Sequence, residues 1–447
     1  MEQKNLLFSK EALNKLIGPL VMEQILAVAV GMIDVIMIAS VGEAAVSGVS
    51  LVDNVSVLLI GLFGALATGG AVVTGHYLGQ NDKKNACKAA NQLILFTVLS
   101  SLLIMALFLL GKNFILDVVF GNIEPDVRAA ANTYLIITGL SIPGLALYNG
   151  CAALFRSMGN SKVTMWISLV MNIINAVGNA LLIYVVHIGV AGAAIATTFS
   201  RYVAAFIIML LMFNKQNTIH LERHMDLHFN PYIIKKILYI GIPTGLENSI
   251  FQLGKILILS LVSVCGTYAI AANAVAGNLA TLNIIPGNAI SLAMLSVVSV
   301  CVGANDFEQA RYYTKKMMMQ IHIYMAAISA ALILSAPFIV KIYNLSPQAT
   351  EATEILIFLH AVCAMLFWPE SFALPNTLRA ANDVKFTMGL AIFSMWVFRI
   401  GASYLFVKVF DMNIVGVWIA MIIDWLFRAI LFVIRYKRGT WQTKYHA

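Results

Sequence analysis

The chain has 447 residues, 60% of them hydrophobic and only 11% charged, and its mean hydropathy is +0.85. Soluble domains carry roughly 25% charged side chains, so this composition excludes a water-soluble globular fold and places the chain in a bilayer. The formal charge of +8 raises nucleic acid as a partner, which the positions of the basic residues rule out.

A membrane helix needs about 20 predominantly apolar residues. Twelve such runs follow one another, near 13–39, 48–77, 87–111, 129–155, 163–186, 190–213, 232–262, 271–302, 311–335, 353–378, 386–407 and 414–434. No stretch alternates in the manner of barrel strands, so the expected fold is an all-α membrane protein of twelve transmembrane helices. The first sixteen residues carry Glu2, Lys4, Lys10, Glu11 and Lys15 and lack a signal peptide's apolar core and cleavage site, so the first helix is expected to stay. Of the 29 basic residues, 21 fall at the termini or in even-numbered loops, with Lys83, Lys84, Arg156 and Arg379 among them. Four (Lys112, Arg128, Lys341, Lys408) fall in odd-numbered loops. By the positive-inside rule both termini are cytoplasmic. Basicity then reports the topology of an inner or plasma membrane protein whose partner is the lipid bilayer, and no nucleic acid is expected. The five cysteines show no disulfide or zinc spacing.

Ionisable residues inside these runs are costly in hydrocarbon and are therefore candidates for function. Helix 1 carries Glu23, one turn after Pro19, and Asp34 eleven residues later, ~16 Å along the same face. Asp53 lies near the start of helix 2. Helix 5 has Asn172, Asn175 and Asn179 on one face. Two roles fit that ladder: completing a cation site around Asp34, or hydrogen bonding between helices. Arg201 lies in helix 6. In the polar stretch 214–232, His220, His224 and His228 recur every four residues, which fits a solvated linker helix; a metal site would lack a fourth ligand. Helix 7 holds Glu247, Asn248, Phe251, Gln252 and Lys255, helix 10 holds Phe367, Trp368 and Glu370, helix 11 Arg399, and helix 12 Asp424 and Arg428. Lys255, Arg399, Asp424 and Arg428 are expected to form a charge cluster, with Asp424 and Arg428 in the favourable i,i+4 orientation. The first half sets three acids against one base, and surplus carboxylate there takes up a proton or holds a cation. The second half sets three against three.

The halves are copies. "PLVMEQ" (19–24) returns as "PTGLEN" (243–248), and "LGQND" (78–82) as "VGAND" (302–306), each 224 residues on; "FRSMGNSKVTM" (155–165) faces "LRAANDVKFTM" (378–388) at 223. This gives an N-terminal lobe over 1–213, a linker over 214–231 and a C-terminal lobe over 232–447. Six helices is an even number, so the lobes are expected to be related by a pseudo-two-fold axis along the membrane normal. Glu23 and Glu247 correspond under it and are expected to line the seam. Gln24, Asn248 and Gln252 would orient a ligand there, and Phe251, Phe367 and Trp368 would offer cation–π surface. The competing role for each glutamate is a buried hydrogen bond that fixes helix packing. No Walker A sequence, metal-binding histidine pair or nucleophile elbow occurs, so the chain is not expected to be an enzyme, needs no cofactor, and draws energy from a gradient.

With "GPLVMEQ" and "GMIDVIMIASVGEAAVSGVS" in helix 1, "GGAVVTGHYLGQND" closing helix 2 and "GIPTGLENSIFQLGK" in helix 7, the chain resembles the MATE family, multidrug and toxic compound extrusion transporters of the MOP superfamily. The resemblance implies a monomeric secondary antiporter that exports cationic or amphiphilic small molecules in exchange for sodium ions or protons, by rocking of its lobes. On it, Asp34 matches the helix-1 carboxylate and Asn175 with Asn179 the helix-5 polar residues of an N-lobe cation site, which Glu23 joins. Asparagines stand where some members carry a helix-5 acid. Glu247 lies about one turn before the C-lobe acid of sodium-type members, and Glu370 matches their helix-10 acid approximately. Two alternatives stand: a flippase for lipid-linked sugars of the same superfamily, and a channel or solute receptor. Replacing His220, His224 and His228 together is expected to leave zinc content and activity unchanged; elemental analysis of the purified protein checks this.

Overall fold

The computed structural model describes residues 6–121, 123–222 and 228–445. Its long helices are α1 (Lys10–Ala39), α2 (Glu43–Gly79), α3 (Lys83–Leu110), α4 (Pro125–Gly139, continued by Ile142–Ser157 after a 49° bend), α5 (Ser161–Val185), α6 (Gly189–Met212), α7 (Pro231–Val264), α8 (Thr267–Gly303), α9 (Phe307–Ile342), α10 (Pro347–Ala380), α11 (Val384–Lys408) and α12 (Asn413–Lys437). Eleven are long and apolar enough to cross a bilayer, and the bent α4 brings the number to twelve. No strand occurs among the described residues. The twelve apolar runs of the sequence are thus twelve helices, because in hydrocarbon each helix satisfies its own backbone.

The duplication extends to the backbone. Helices α2 and α8 are each 37 residues long. Each begins after a glycine with positive φ, Gly42 (+137°) and Gly266 (+100°). The repeated Asn-Asp pairs make the same turn: Asn81 and Asn305 have φ of 58° and 57°, and Asp82 and Asp306 cap the next helix through the backbone N–H groups of Asn85 and Gln309. These bonds from Asn85 hold the Asp82 carboxyl below the usual carboxylate range. Asparagine and aspartate tolerate this region better than other side chains. Further pairs of positive-φ residues are Gly121 and Asn344, Gly159 and Asn382, His187 and Asp411, and Gly189 and Asn413.

By packing, the chain forms two compact units, Ser9–Gly245, and Leu246–Ala447 with Met1–Phe8. The division falls inside α7. In the first unit α1 lies along α5, and α2 against α4 and α3; in the second, α8 packs on α9 and α10.

Interruptions in these helices have partners. Pro19 has no N–H to offer the carbonyl four residues back, that of Lys15. Ser161, opening α5, donates its hydroxyl to Lys15 O (3.3 Å) and Leu16 O (2.5 Å). At the α4 bend, just before Pro143, Tyr202 donates to Leu140 O (2.7 Å) and Arg201 Nη1 to Ser141 Oγ (2.7 Å). The carbonyls at these interruptions are therefore met from neighbouring helices.

The linker differs from the expected helix. Its described residues between α6 and α7 form turns and coil, strapped to α3 by Gln92, which donates to His228 O (2.8 Å) and accepts from Asn230 N (2.9 Å). These backbone groups find a side-chain partner in Gln92, which competes with helix formation. His224 and Asp226 lie outside the described residues.

One close crossing is set by glycine. A Cβ on Gly69 of α2 would meet Ile237 O of α7 at 2.3 Å, backbone that cannot give way. Gly69→Val is therefore expected to destabilise the first unit by ~1–3 kcal/mol or more, read as a lowered thermal midpoint in detergent, whereas Gly64→Val, on the same helix with nothing within 4 Å, shows little change.

Candidate functional site

The Glu23 carboxylate lies on α1 one turn beyond Pro19 and is buried. Thr164 of α5 donates to its Oε2 (2.8 Å), and Arg156 at the end of α4 places Nη1 3.8 Å from Oε1. Glu247 repeats the arrangement with a closer partner. Arg379 of α10 donates Nη2 to both carboxylate oxygens, at 2.8 and 2.7 Å, and Arg428 Nη2 of α12 lies 3.5 Å from Oε1. Arg156 and Arg379 are themselves repeat mates, 223 apart in the matched segments "FRSMGN" and "LRAAND". Each half thus carries one carboxylate on its first helix and one guanidinium on its fourth, joined inside a single unit.

This corrects the placement of the two arginines. They are not loop residues: each sits at a helix end with its side chain turned inward, and Arg379 is only 9% exposed. Arginine keeps its proton under all ordinary conditions, so each pair neutralises a carboxylate without needing a proton. The packing role of the glutamates is therefore supported in each unit.

Asp34 is held differently. Asn179 Nδ2 donates to Asp34 Oδ1 (2.8 Å) and lies 3.3 Å from Asn175 Oδ1, and Asn175 Nδ2 donates to Thr197 Oγ1 of α6 (3.0 Å). One helical face on α5 thereby connects α1 to α6. Asn175 and Asn179 are buried, and Asp34 is partly exposed. The amide group turned to Asp34 is the N–H, so a cation arriving at the carboxylate replaces that donor, or the amide rotates to present its carbonyl. A proton arriving there neutralises the carboxylate and leaves Asn179 bonded to a weaker acceptor. Thr197 was not visible as a candidate in the sequence, although it lies one helical turn before Arg201.

In the second unit the expected charge cluster is assembled around aromatic rings. Arg399 Nη1 lies 3.5 Å from Asp424 Oδ2, and Ser394 donates to the same carboxylate. Arg428, expected beside Asp424, instead pairs with Glu247 and stacks 4.5 Å from the centre of the Phe372 ring. Lys255 Nζ and the Arg399 guanidinium both lie over Phe251, at 5.2 and 5.4 Å. Phe372 meets Phe251 and Trp425 edge-on and stacks on Trp368. Glu370 accepts from His322 Nε2 of α9 (2.8 Å), whose Nδ1 lies 2.7 Å from Met365 O. Pro369 leaves that carbonyl without its helical donor, so Nδ1 carries a hydrogen and the Nε2–Glu370 contact also needs one. The pair holds a proton between them. His322 was missed because a lone histidine in an apolar run gives no spacing signal. Gln24, Asn248, Gln252 and Phe367 lie on the same helices, α1, α7 and α10. No group of three His, Cys, Asp or Glu side chains suited to a metal occurs among the described residues.

The sequence profile of the MatE family matches this chain twice, over residues 19–181 and 243–405. The chain belongs to the MatE family. The two matches are offset by 224 residues, the spacing of Glu23 and Glu247. The chain is 27% identical to the uncharacterized transporter YisQ of Bacillus subtilis, covering 97% of this chain and 95% of the relative. It is 23% identical to the probable multidrug resistance protein NorM of Thermotoga maritima, over 97% and 94%. Among solved structures, an outward-facing multidrug resistance MATE transporter of the MOP superfamily superposes with a TM-score of 0.90 at 20% identity, covering 98% of this chain and 97% of that one. A MOP superfamily transporter from Pyrococcus furiosus, described as having a binding pocket of reversed polarity, superposes at 0.89 with 21% identity, over 97% and 96%. As a MATE-family protein the chain is a multi-pass membrane transporter of small molecules, of a family associated with drug efflux, and not an enzyme.

Breaking the closer ion pair leaves a buried charge. Arg379→Gln is expected to destabilise the protein by about 3–5 kcal/mol, and Glu247→Gln combined with it to recover much of that. A double-mutant cycle on thermal unfolding in detergent checks both, and Arg156→Gln with Glu23→Gln should show a smaller coupling because that pair is longer.

Proposed function

We propose that this MATE-family protein is a secondary antiporter of the inner or plasma membrane, with both termini cytoplasmic, that exports amphiphilic drugs, cationic ones included, in exchange for sodium ions or protons. The lobes are helices α1–α6 and α7–α12, joined by the linker 214–231, and transport proceeds by their alternating access as a monomer. The observation that carries the coupling assignment is the polar relay Asp34–Asn179–Asn175–Thr197 across α1, α5 and α6. A carboxylate met by a neutral amide changes its bonding when a cation or proton arrives, and that change is passed to two further helices. Glu23 and Glu247 are less suited to this because each already faces a guanidinium group. Gln24, Asn248, Gln252 and the rings of Phe251, Phe367 and Trp368 are assigned to the substrate side, with Glu370 and its shared proton.

The test is efflux of a panel of fluorescent amphiphiles from proteoliposomes, driven separately by a sodium or a proton gradient. One gradient is expected to drive efflux, and Asp34→Asn to reduce it at least tenfold while leaving equilibrium substrate binding within about threefold, since the substitution removes a step and not the cargo site. Transport unchanged in Asp34→Asn places the coupling elsewhere, and no movement under either gradient rejects antiport.

A further inference from the structure

Around Glu247 and Asp424 in the second unit, guanidinium groups outnumber carboxylates. Three buried arginines, Arg379, Arg399 and Arg428, face these two buried acids, the third buried acid, Asp383, is paired with Arg435, and the exposed Lys255 lies over Phe251 beside Arg399. Glu370, the remaining membrane acid of this unit, is engaged by His322. Both Arg379 and Arg428 address the single Glu247. Arginine does not shed its proton, so three of the cations are permanent whatever Lys255 does. The donors are also in surplus. Arg399 Nε, Arg428 Nε and Trp425 Nε1 are buried and donate to no acceptor among the described residues, on side chains 9%, 3% and 4% exposed. Aromatic faces attract these cations through their quadrupoles but carry no net charge and accept no strong hydrogen bond. Buried donors and charges of this kind are ordinarily matched.

We propose that the interior of the second unit is an anion site, in which Lys255, Arg399 and Arg428 take the carboxylate of an aromatic amphiphile while Phe251 and Phe372 hold its ring. A carboxylate offers the acceptors that the guanidinium Nε–H groups and the Trp425 indole N–H need, and arginine recognises it with planar geometry. The rings lie next to the same cations: Phe251 beneath Lys255 and Arg399, Phe372 beneath Arg428. An organic cation meets the opposite field here. The first unit carries the complementary imbalance, Glu23, Asp34 and Asp53 against Arg156 and Arg201, which suits an inward-moving cation. As a statement about cargo the inference rests on the antiport reading; as a statement about binding it does not.

Binding is measured by quenching of tryptophan fluorescence, Trp368 and Trp425 being adjacent, on the purified full chain in detergent with no gradient. The probes are 2-naphthoate, the matched cation 2-naphthyltrimethylammonium, and chloride as competitor. Naphthoate is expected to bind roughly tenfold or more tightly than the cation, and to weaken by a similar factor in Lys255→Gln and in the charge-balanced double variant Arg399→Gln with Asp424→Asn, which leaves no carboxylate orphaned. Naphthoate insensitive to chloride assigns the site to organic acids; displacement by millimolar chloride keeps the anion site and assigns it to a halide, against the amphiphile. Equal or tighter binding of the cation, or naphthoate affinity unchanged in both variants, overturns the inference. Because no gradient is present, that failure is separate from any failure of drug–ion exchange in vesicles.

Discussion

A carboxylate tied to a guanidinium, made twice, is the constraint on which the rest of each half depends. Glu23 and Glu247 sit one turn beyond a proline inside their helices, in surroundings where a lone negative charge is too costly to keep. Arg156 and Arg379 answer them from the ends of α4 and α10. Once the pair is buried, loss of either member costs more than the pair contributes, since an uncompensated charge remains. A carboxylate on the first helix of each half is thereby tied to a guanidinium on the fourth. Ser161 reaches the carbonyls of Lys15 and Leu16, and Thr164 the other oxygen of Glu23, because α1 packs along α5.

From that shared frame the two halves have diverged in electrical character. The first retains acids and amides, and its Asp34 relay runs through neutral amide donors. The second has gathered arginines and lysine around phenylalanine and tryptophan, and outside that cluster Glu370 meets His322 and Asp383 meets Arg435. The two halves thus differ in charge on a common backbone, with no change of fold.

The architecture was largely legible in the sequence. Apolar runs of membrane length gave the twelve helices, and matched segments at one spacing gave the repeat, because hydrocarbon demands both length and internal hydrogen bonding. Asp34, Asn175 and Asn179 were legible from helical periodicity, and their contact is direct. What escaped was contact between distant segments. Arg156 and Arg379 stand beside glycine and asparagine turns, where composition reads as loop, and their match in the repeat paired them only with each other. Arg428 looked committed to Asp424 by i,i+4 spacing, yet rotamer freedom along a long side chain let it reach Glu247. His322 was invisible until Pro369 was seen to leave Met365 O in need of a donor. The linker histidines have helical spacing, but the described residues 214–222 and 228–230 form turns and coil, with Gln92 holding His228 O and Asn230 N.

The paired left-handed positions record where the copies have slipped. Gly42 and Gly266, and Asn81 and Asn305, stand 224 apart; Gly121 and Asn344, and Gly159 and Asn382, stand 223 apart; His187 and Asp411 return to 224. The first half therefore holds one more residue between α3 and the turn at Gly121, where the helix breaks after Leu110, resumes at Lys112–Phe114 and runs into a π-helical stretch at Ile115–Val119. The compensating residue enters in the short loop before α12. Length has been traded only at the ends of helices on one side of the fold, while the Asn-Asp turns on the other side kept their spacing. The extra residues stand where the chain merely turns back, and the spacing is kept at the turns whose aspartate also caps the next helix.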